Sequence, residues 1–508
     1  MTLFTEIGAS AQAPSGLVPF RFRAIPSGTS GPGAGDFLLT NYWGDWLFVT
    51  KDELSELARG RLDPASPLHR RLSAKNFIRA ELDQDGLAER MRRKKRFLDY
   101  GPNLHVMVVT LRCNETCVYC HASRADMDQV QTDMSKETAE KSVDLALQTT
   151  SPSLTIEFQG GEPLVNFPVV KHIIQYALSK NRAYGKQLEF TMVTNLSLMD
   201  EEKLAFLVDH KVQICTSIDG PEPLHTKQRL LVSGNSHAVT VKWIERVNKA
   251  YVDLGLDPTL YHVEALLTTT REALKYPREI VDHYVSLGCR AIFLRPIDPF
   301  GFAGRTARVV DYDRAAYRDF YRVAVEHILD KNRKGEQVLE RYAAIFLTKI
   351  LGDEEPNFLD IRSPGGSAIG QIAYSYDGKI YTSDEGRMMA ETGEGMFHIG
   401  DVSTSKYRDL MKHPTVRALV MASIRDVQPD CASCTYATYC GVQPEHNFRS
   451  LGSIFGRMRE STLCSVHKGI QDYLFEKLRE DDPTTVGILE RWTTVRERTH
   501  FIQASAAS

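Results

Sequence analysis

Apolar and polar positions follow two different rhythms along the chain. In the first hundred residues, Phe37-Leu38-Leu39-Thr40 and Trp46-Leu47-Phe48-Val49 flank Trp43-Gly44-Asp45, a pattern that predicts a hairpin. Thr50 with Glu53 three residues on forms a capping box, so a helix is expected to start there and to stop near Gly60, with more helix around 68–82. From about Asn103 short apolar runs alternate with helix-length segments. The runs are 104–110, 154–158, 188–194, 212–218, 263–268 and 291–294, each read as a strand buried on both faces. Helices are expected near 135–148, 168–179, 200–209, 239–253, 272–287 and 312–333. Six β-α units in order predict an α/β fold: a parallel sheet with right-handed crossovers, curved into a partial (β/α)6 TIM-type barrel with its chemistry at the carboxyl ends of the strands.

Composition limits the rest. The 508 residues, 42% hydrophobic and 25% charged, suit several globular domains. Sixty-two basic against 65 acidic side chains leave a net charge of -3, so no global field recruits nucleic acid or a membrane, and an anionic partner has to bind a local patch. No stretch nears the roughly 18 continuous apolar residues of a membrane span, and no signal-peptide pattern opens the chain, so a cytoplasmic protein is expected. Residues 1–19 and the closing Ala504-Ser505-Ala506-Ala507-Ser508 are expected to be poorly ordered. The run from Arg90 to Arg96 is read as a solvated helix face joining two domains.

Seven of the nine cysteines fall into two groups, Cys113, Cys117, Cys120 and Cys431, Cys434, Cys440, Cys464, leaving Cys215 and Cys289 in apolar runs as core residues. In a reducing compartment such groups bind metal or iron-sulfur more often than they form disulfides. The first group, Cys-x3-Cys-x2-Cys, directly follows the first strand. Three thiolates can hold three irons of a cubane and leave the fourth iron open, whereas structural zinc wants a fourth ligand close by.

This loop, with Tyr119 before its last cysteine, resembles the signature of the radical S-adenosylmethionine superfamily. Gly160-Gly161-Glu162-Pro163 after the second strand resembles the family's methionine-amino motif, with a bare carboxylate for the ammonium. Thr194-Asn195 resembles its ribose pair, and the segment with Ser217 and Asp219 its ribose and carboxylate neighbours. Arg229 and Leu294 match the family's carboxylate and adenine contacts less specifically. The resemblance implies a [4Fe-4S] cluster, S-adenosylmethionine as cofactor and hydrogen abstraction by a 5'-deoxyadenosyl radical.

The carboxy-terminal cysteines resemble the SPASM extension of peptide- and protein-modifying radical enzymes, including anaerobic sulfatase maturases. That extension usually carries seven cysteines; here the other three positions fall at Pro364-Gly365-Gly366, at Ser383 and at Gln443-Pro444. The resemblance implies one auxiliary [4Fe-4S] cluster on the four remaining cysteines, with structural zinc as the alternative. Asp384 matches the position of a catalytic acid-base aspartate in sulfatase maturases, with Glu385 beside it and a turn contact to Arg387 as the competing reading. Tyr374 and Tyr376 are read as strand residues.

Longer phrases, among them Arg295-Pro296, Arg341-Tyr342-Ala343-Ala344-Ile345 and Asp384-Glu385-Gly386-Arg387, resemble HxsB-type maturases of His-Xaa-Ser peptide systems. The implied function is modification of a precursor peptide or protein, guided by a leader and supplied with electrons by a donor such as flavodoxin or ferredoxin. No membrane and no specific nucleic acid partner are expected. The expected domains are a flexible start at 1–19, a winged-helix-like α+β module and linker at 20–100 that would pair a leader with an edge strand, the barrel at 101–335, a SPASM-like domain at 336–475 and a closing helix and tail at 476–508. A radical dehydrogenase of small molecules and a non-catalytic iron-sulfur partner are the competing functions.

Overall fold

The computed structural model describes residues 16–25, 37–232, 234–356 and 358–503. The amino-terminal module is a three-stranded antiparallel sheet, Phe20–Ala24, Phe37–Asn41 and Trp46–Val49 in that order, with helices Lys51–Ala58, Pro67–Ala74 and Gln84–Lys95. The capping box at Thr50 and Glu53 forms as expected. The sequence pattern had shown only the hairpin; the strand before it, Phe-Arg-Phe-Arg-Ala, alternates as a strand should. Phe20 and Phe22 pack on the module's own core, while Arg21 and Arg23 reach the carboxy-terminal region. Leu17 and Val18, assigned from sequence to a flexible start, are buried, and the Val18 N–H donates to Phe77 O at 3.0 Å. The rest of that expectation, 1–15 and 504–508, lies outside the described residues.

Six parallel strands form the barrel wall: Leu104–Thr110, Ser153–Gly160, Gln187–Thr194, Val212–Ser217, Glu264–Thr269 and Leu294–Pro296. They are called first to sixth below. The sheet continues on the other side of the first strand with Gln371–Tyr374, parallel to it, then antiparallel Lys379–Tyr381 and His398–Asp401. The expected run at 291–294 divides in two: Ala291–Ile292 leaves the barrel to pair with Leu339–Glu340, and Leu294–Pro296 pairs with the fifth strand. Pro296 offers no N–H, which suits the sheet edge it occupies. Helices Glu222–Gln228 and Ala303–Val310 were not anticipated.

The expectation of strands buried on both faces holds for the first strand, buried from His105 to Thr110, and is corrected for the strands that alternate. In the second strand Leu154, Ile156 and Phe158 are fully buried against the outer helices, while Thr155, Glu157 and Gln159 turn toward a central cavity. Burying such apolar side chains stabilises by about 1.5–3 kcal/mol each, which pins the register, because a slip of one residue would drive the polar trio into the core. The helix Gln84–Lys95 carries the basic run, and it is only partly solvated: Arg90 bonds Asp45 at 2.9 Å and Asp353 at 2.5 Å, and Lys94 pairs with Asp353. After helices Thr462–Glu480 and Pro483–Trp492 the chain crosses beneath the amino ends of the barrel strands, where the Gln503 N–H donates to Leu188 O at 2.9 Å and its side chain to His210 O at 2.9 Å.

Candidate active site

The loop after the first strand is braced before any metal is considered. Arg112 and Asp133 close its base through a two-pronged ion pair, and the Cys113 N–H donates to Ala125 O at 3.1 Å. Asn195 Nδ2 donates to Asn114 Oδ1 at 3.2 Å, tying the loop to the end of the third strand. Cys113, Cys117 and Cys120 all line one cavity of about 1450 Å³. Burial and then the Glu162 charge push the Cys113 thiol up to about 12, and burial pushes Cys117 up as well. A bound metal cation reverses that cost by holding thiolates, so three partly buried cysteines on one braced loop are a donor set that fits an iron-sulfur cluster.

Gly160 and Gly161 stand where no side chain fits. A Cβ on Gly160 would strike Thr110 O, and one on Gly161 the carbonyls of Leu111 and Arg112. The close approach lets the Gly161 N–H reach Thr110 O and the Glu162 N–H reach Arg112 O, each at 2.8 Å, and leaves the glycine backbone facing the cavity. Glu162 is not the bare carboxylate expected from sequence. It accepts from Thr194 Oγ1 at 2.6 Å and from the N–H groups of Asn195 at 2.7 Å and Leu164 at 3.0 Å. Burial outweighs these bonds and pushes it up to about 7. Pro163 is buried at the start of the short helical turn that follows.

Thr194, Asn195, Ser217 and Arg229 line the cavity with Tyr119. Asp219 is buried behind them, accepting from the Tyr119 hydroxyl at 2.6 Å, while Arg229 lies 3.4 Å from Asp219 and 3.3 Å from Glu115. Arg229 is therefore shared between two carboxylates. Leu294 belongs elsewhere: its N–H donates to Glu340 and its carbonyl accepts from Tyr317, and the neighbours Phe293 and Arg295 line the cavity instead. Sequence reasoning missed Glu115, a 1% exposed carboxylate inside the cysteine loop whose Oε1 has no hydrogen-bond partner in the structure; a charge between two cysteines was the available signal. It also missed the half-buried Asp360, which lines the cavity and for which there was none. Cys215, read as a core residue, lines the cavity, whereas Cys289 is buried as expected.

Ser383 caps the helix Asp384–Ala390, and Asp384 and Glu385 both line the cavity from its first turn. Asp384 is held by Arg387 at 2.6 Å, the competing reading from sequence, and Arg387 also donates to Ala122 O at 2.8 Å, fastening this helix to the cysteine loop. Glu385 has no such ion pair among the described residues. Burial and then the charges of Asp360 and Asp384 push it up to about 8. The positions that lack the extension's other cysteines come together: Gly365, Gly366, Gln443 and Pro444 line one small cavity with Asp360 and Glu385, and Ser383 Oγ donates to Glu445 beside it at 3.1 Å. Tyr374 is a buried strand residue as expected, while Tyr376 sits in the turn after it.

Cys431, Cys434, Cys440 and Cys464 line a second small cavity, about which Cys440 Sγ lies 3.6 Å from His467 Nδ1. Among the described residues no three donors of His, Cys, Asp or Glu converge as ligands of a single ion. Nor is any described helix long and apolar enough to cross a membrane.

Residues 107–264 match the Radical SAM superfamily. This stretch is a radical SAM domain. A serine-type anaerobic sulfatase-maturating enzyme of Bacteroides thetaiotaomicron is 26% identical over 40% of this chain and 48% of its own length. The chain spans 62%, 40% and 48% of the first curated relatives it matches. Among solved structures, anSMEcpe with bound AdoMet and Cp18Cys peptide superposes with a TM-score of 0.61 at 16% identity, covering 77% of this chain and 100% of that one. Streptococcus suis SuiB bound to its precursor peptide SuiA superposes at 0.51 and 14% identity, covering 87% and 98%. The radical SAM α/β fold extends in this chain into a carboxy-terminal region consistent with SPASM. A radical SAM domain implies a [4Fe-4S] cluster and S-adenosylmethionine, and the loop and glycine backbone described above fit both.

Proposed function

We propose that the chain is a radical SAM enzyme that modifies a peptide or protein, because one cavity of about 1450 Å³ joins the three-cysteine loop, the Gly160-Gly161 backbone and the carboxylates of Asp384 and Glu385. Small-molecule pockets run at roughly 300–1000 Å³, so this one has room for a peptide segment beside a cofactor. The sulfatase-maturating relative and the peptide-bound structures of anSMEcpe and SuiB support the same reading.

A cluster on Cys113, Cys117 and Cys120 would bind S-adenosylmethionine and, once reduced by a donor such as flavodoxin or ferredoxin, supply a 5'-deoxyadenosyl radical to abstract hydrogen. The chain's own part is to present the glycine backbone and Ser217, Thr194, Asn195 and Arg229 to the cofactor, to exclude water with the barrel wall, and to move a proton at the Glu385 carboxylate. The four cysteines Cys431, Cys434, Cys440 and Cys464 line one small cavity, and four thiolates are the number a closed cubane needs, so an auxiliary [4Fe-4S] cluster is assigned to them, with zinc as the alternative. The amino-terminal module, a small sheet backed by helices, is assigned leader recognition, the substrate class that of the His-Xaa-Ser maturases, and the compartment the cytoplasm, where thiols stay reduced.

The test is anaerobic reconstitution followed by reduction and measurement of 5'-deoxyadenosine. Formation by the intact chain and its loss on joint replacement of Cys113, Cys117 and Cys120 is expected; cleavage that persists in that variant overturns the proposal. Mass spectrometry of a short peptide encoded beside the gene and coexpressed identifies the bond made.

A further inference from the structure

The cavity that meets the cysteine loop also reaches the amino ends of the strands, and its two ends differ in charge. Around the loop its lining carboxylates are Glu115, Glu157, Asp298, Asp360, Asp384 and Glu385, which outnumber the lining arginines there, Arg124, Arg229 and Arg295. At the opposite end the lining charges are Arg290, Arg341, Arg491, Arg496 and Arg498, against Glu264 alone among the described lining residues. These arginines meet there from distant parts of the chain. Glu264 opens the fifth strand, Arg290 precedes Ala291–Ile292, Arg341 begins the helix Arg341–Ile350, and the other three come from the end of the last helix and the segment crossing beneath the barrel. Arg498 pairs with Glu264, Arg341 approaches the same carboxylate at 3.5 Å, and Arg496 reaches Thr259 Oγ1 at 3.4 Å. Burial alone would raise Glu264, yet Arg341, Arg498 and His262 outweigh it and hold the carboxyl below its ordinary value. The cationic excess is local, since the chain as a whole carries a net charge of -3.

We propose that this mouth at the amino ends of the strands is the substrate entrance and that it selects a peptide segment bearing Asp or Glu residues. The inference rests on the peptide-modifying reading above and adds the chemistry of the segment. Guanidinium groups pair with carboxylates through two parallel hydrogen bonds, and a ring of like charges at the rim of a low-dielectric cavity raises the encounter rate of an oppositely charged chain. Arg290, Arg341, Arg491 and Arg496 are exposed, so they can meet such a segment without first leaving the core.

The experiment uses the reconstituted full chain with S-adenosylmethionine and short fluorescein-labelled peptides of one Gly/Ser/Ala background carrying Glu, Gln or Lys at alternate positions. Fluorescence anisotropy is expected to show the Glu peptide binding about tenfold more tightly than the Gln peptide at low salt, with the Lys peptide weakest and the gap shrinking as salt is added. The pair Arg491→Glu and Arg496→Glu is expected to erase the gap, and Arg491→Gln with Arg496→Gln to narrow it, with circular dichroism as the folding control. Equal binding of the Glu and Gln peptides by the intact chain, or an undiminished preference in a folded charge-reversed or neutralised variant, overturns the proposal. Measuring 5'-deoxyadenosine in parallel on the intact chain separates the two readings: absent cleavage with the charge preference present strikes the enzymatic reading, and cleavage without the preference strikes the entrance alone.

Discussion

Asp384 and Glu385 are neighbours in opposite electrostatic situations. Asp384 faces the fully buried guanidinium of Arg387 at 2.6 Å, so its charge is balanced. Asp384→Asn would leave that guanidinium without its counterion, at a cost of about 3–5 kcal/mol, and a large drop in melting temperature is expected in a thermal unfolding experiment. Glu385 behaves differently. Its folded value of about 8 lies above the ordinary 4.5, so the stability linked to its protonation is fully present below about 4.5 and is lost as pH rises through about 8. Glu385→Gln removes that titration. Between those two pH values the wild type is expected to lose stability relative to the variant, and melting curves that stay parallel across the window would show that the carboxyl is not raised. Gly161→Ala is expected to push the carbonyls of Leu111 and Arg112 and with them the cysteine loop, weakening S-adenosylmethionine binding about tenfold or more in a titration of the reconstituted protein.

At the scale of elements, what was legible in the sequence followed from local spacing. Cys113, Cys117 and Cys120, like Cys431, Cys434 and Cys440, sit on short segments whose spacing alone brings the thiols together, Cys464 joining the second set from the helix Thr462–Glu480, and the six strands fall within a residue or two of their apolar runs, apart from the divided run at 291–294. The side each residue faces was less legible. An apolar run reads as buried throughout, yet Thr155, Glu157 and Gln159 in the second strand turn to a polar cavity because the barrel is open inside. Glu162 looked bare because its partners Thr194 and Asn195 come from another strand end, and the arginine mouth draws on positions 290, 341 and 491–498, which no local pattern links. The two cysteine elements make a countable prediction. Anaerobically reconstituted protein is expected to hold about 8 irons per chain, and replacing Cys113, Cys117 and Cys120 together is expected to leave about half, the four of the second set. About 4 irons with one zinc in the intact chain would assign zinc to the second set.

For the whole molecule, the amino-terminal module is not an appendage. Thr40 Oγ1 donates to Thr435 O at 2.7 Å, Arg21 to Ala432 O at 2.8 Å, and the Tyr439 hydroxyl to Gly44 O at 3.0 Å, all on the loop that carries Cys431, Cys434 and Cys440. Trp46 Nε1 donates to Ile350 O at 3.0 Å and its ring packs edge-on to Phe475. Deleting residues 1–90 would therefore strip support from the loop that carries three of the second cysteine set, and loss of its iron is expected alongside any loss of leader binding, so truncation alone does not separate the two roles. A gentler probe is the charge cluster that clamps the module. Arg90 bridges Asp45 within the module and Asp353 beyond it, while Asp353 also takes Lys94 and Arg93. Asp353→Ala leaves several cations facing one another, whereas Arg90→Ala leaves Asp353 with two partners, so the first is expected to cost more. Residues in one ion-pair network couple by about 0.5–3 kcal/mol, and a double-mutant cycle of the two replacements, read by denaturant unfolding, is expected to fall in that range. A cycle that closes without coupling would mean that the aromatic and main-chain contacts alone dock the module, and that its charged helix is the solvated face its sequence suggested.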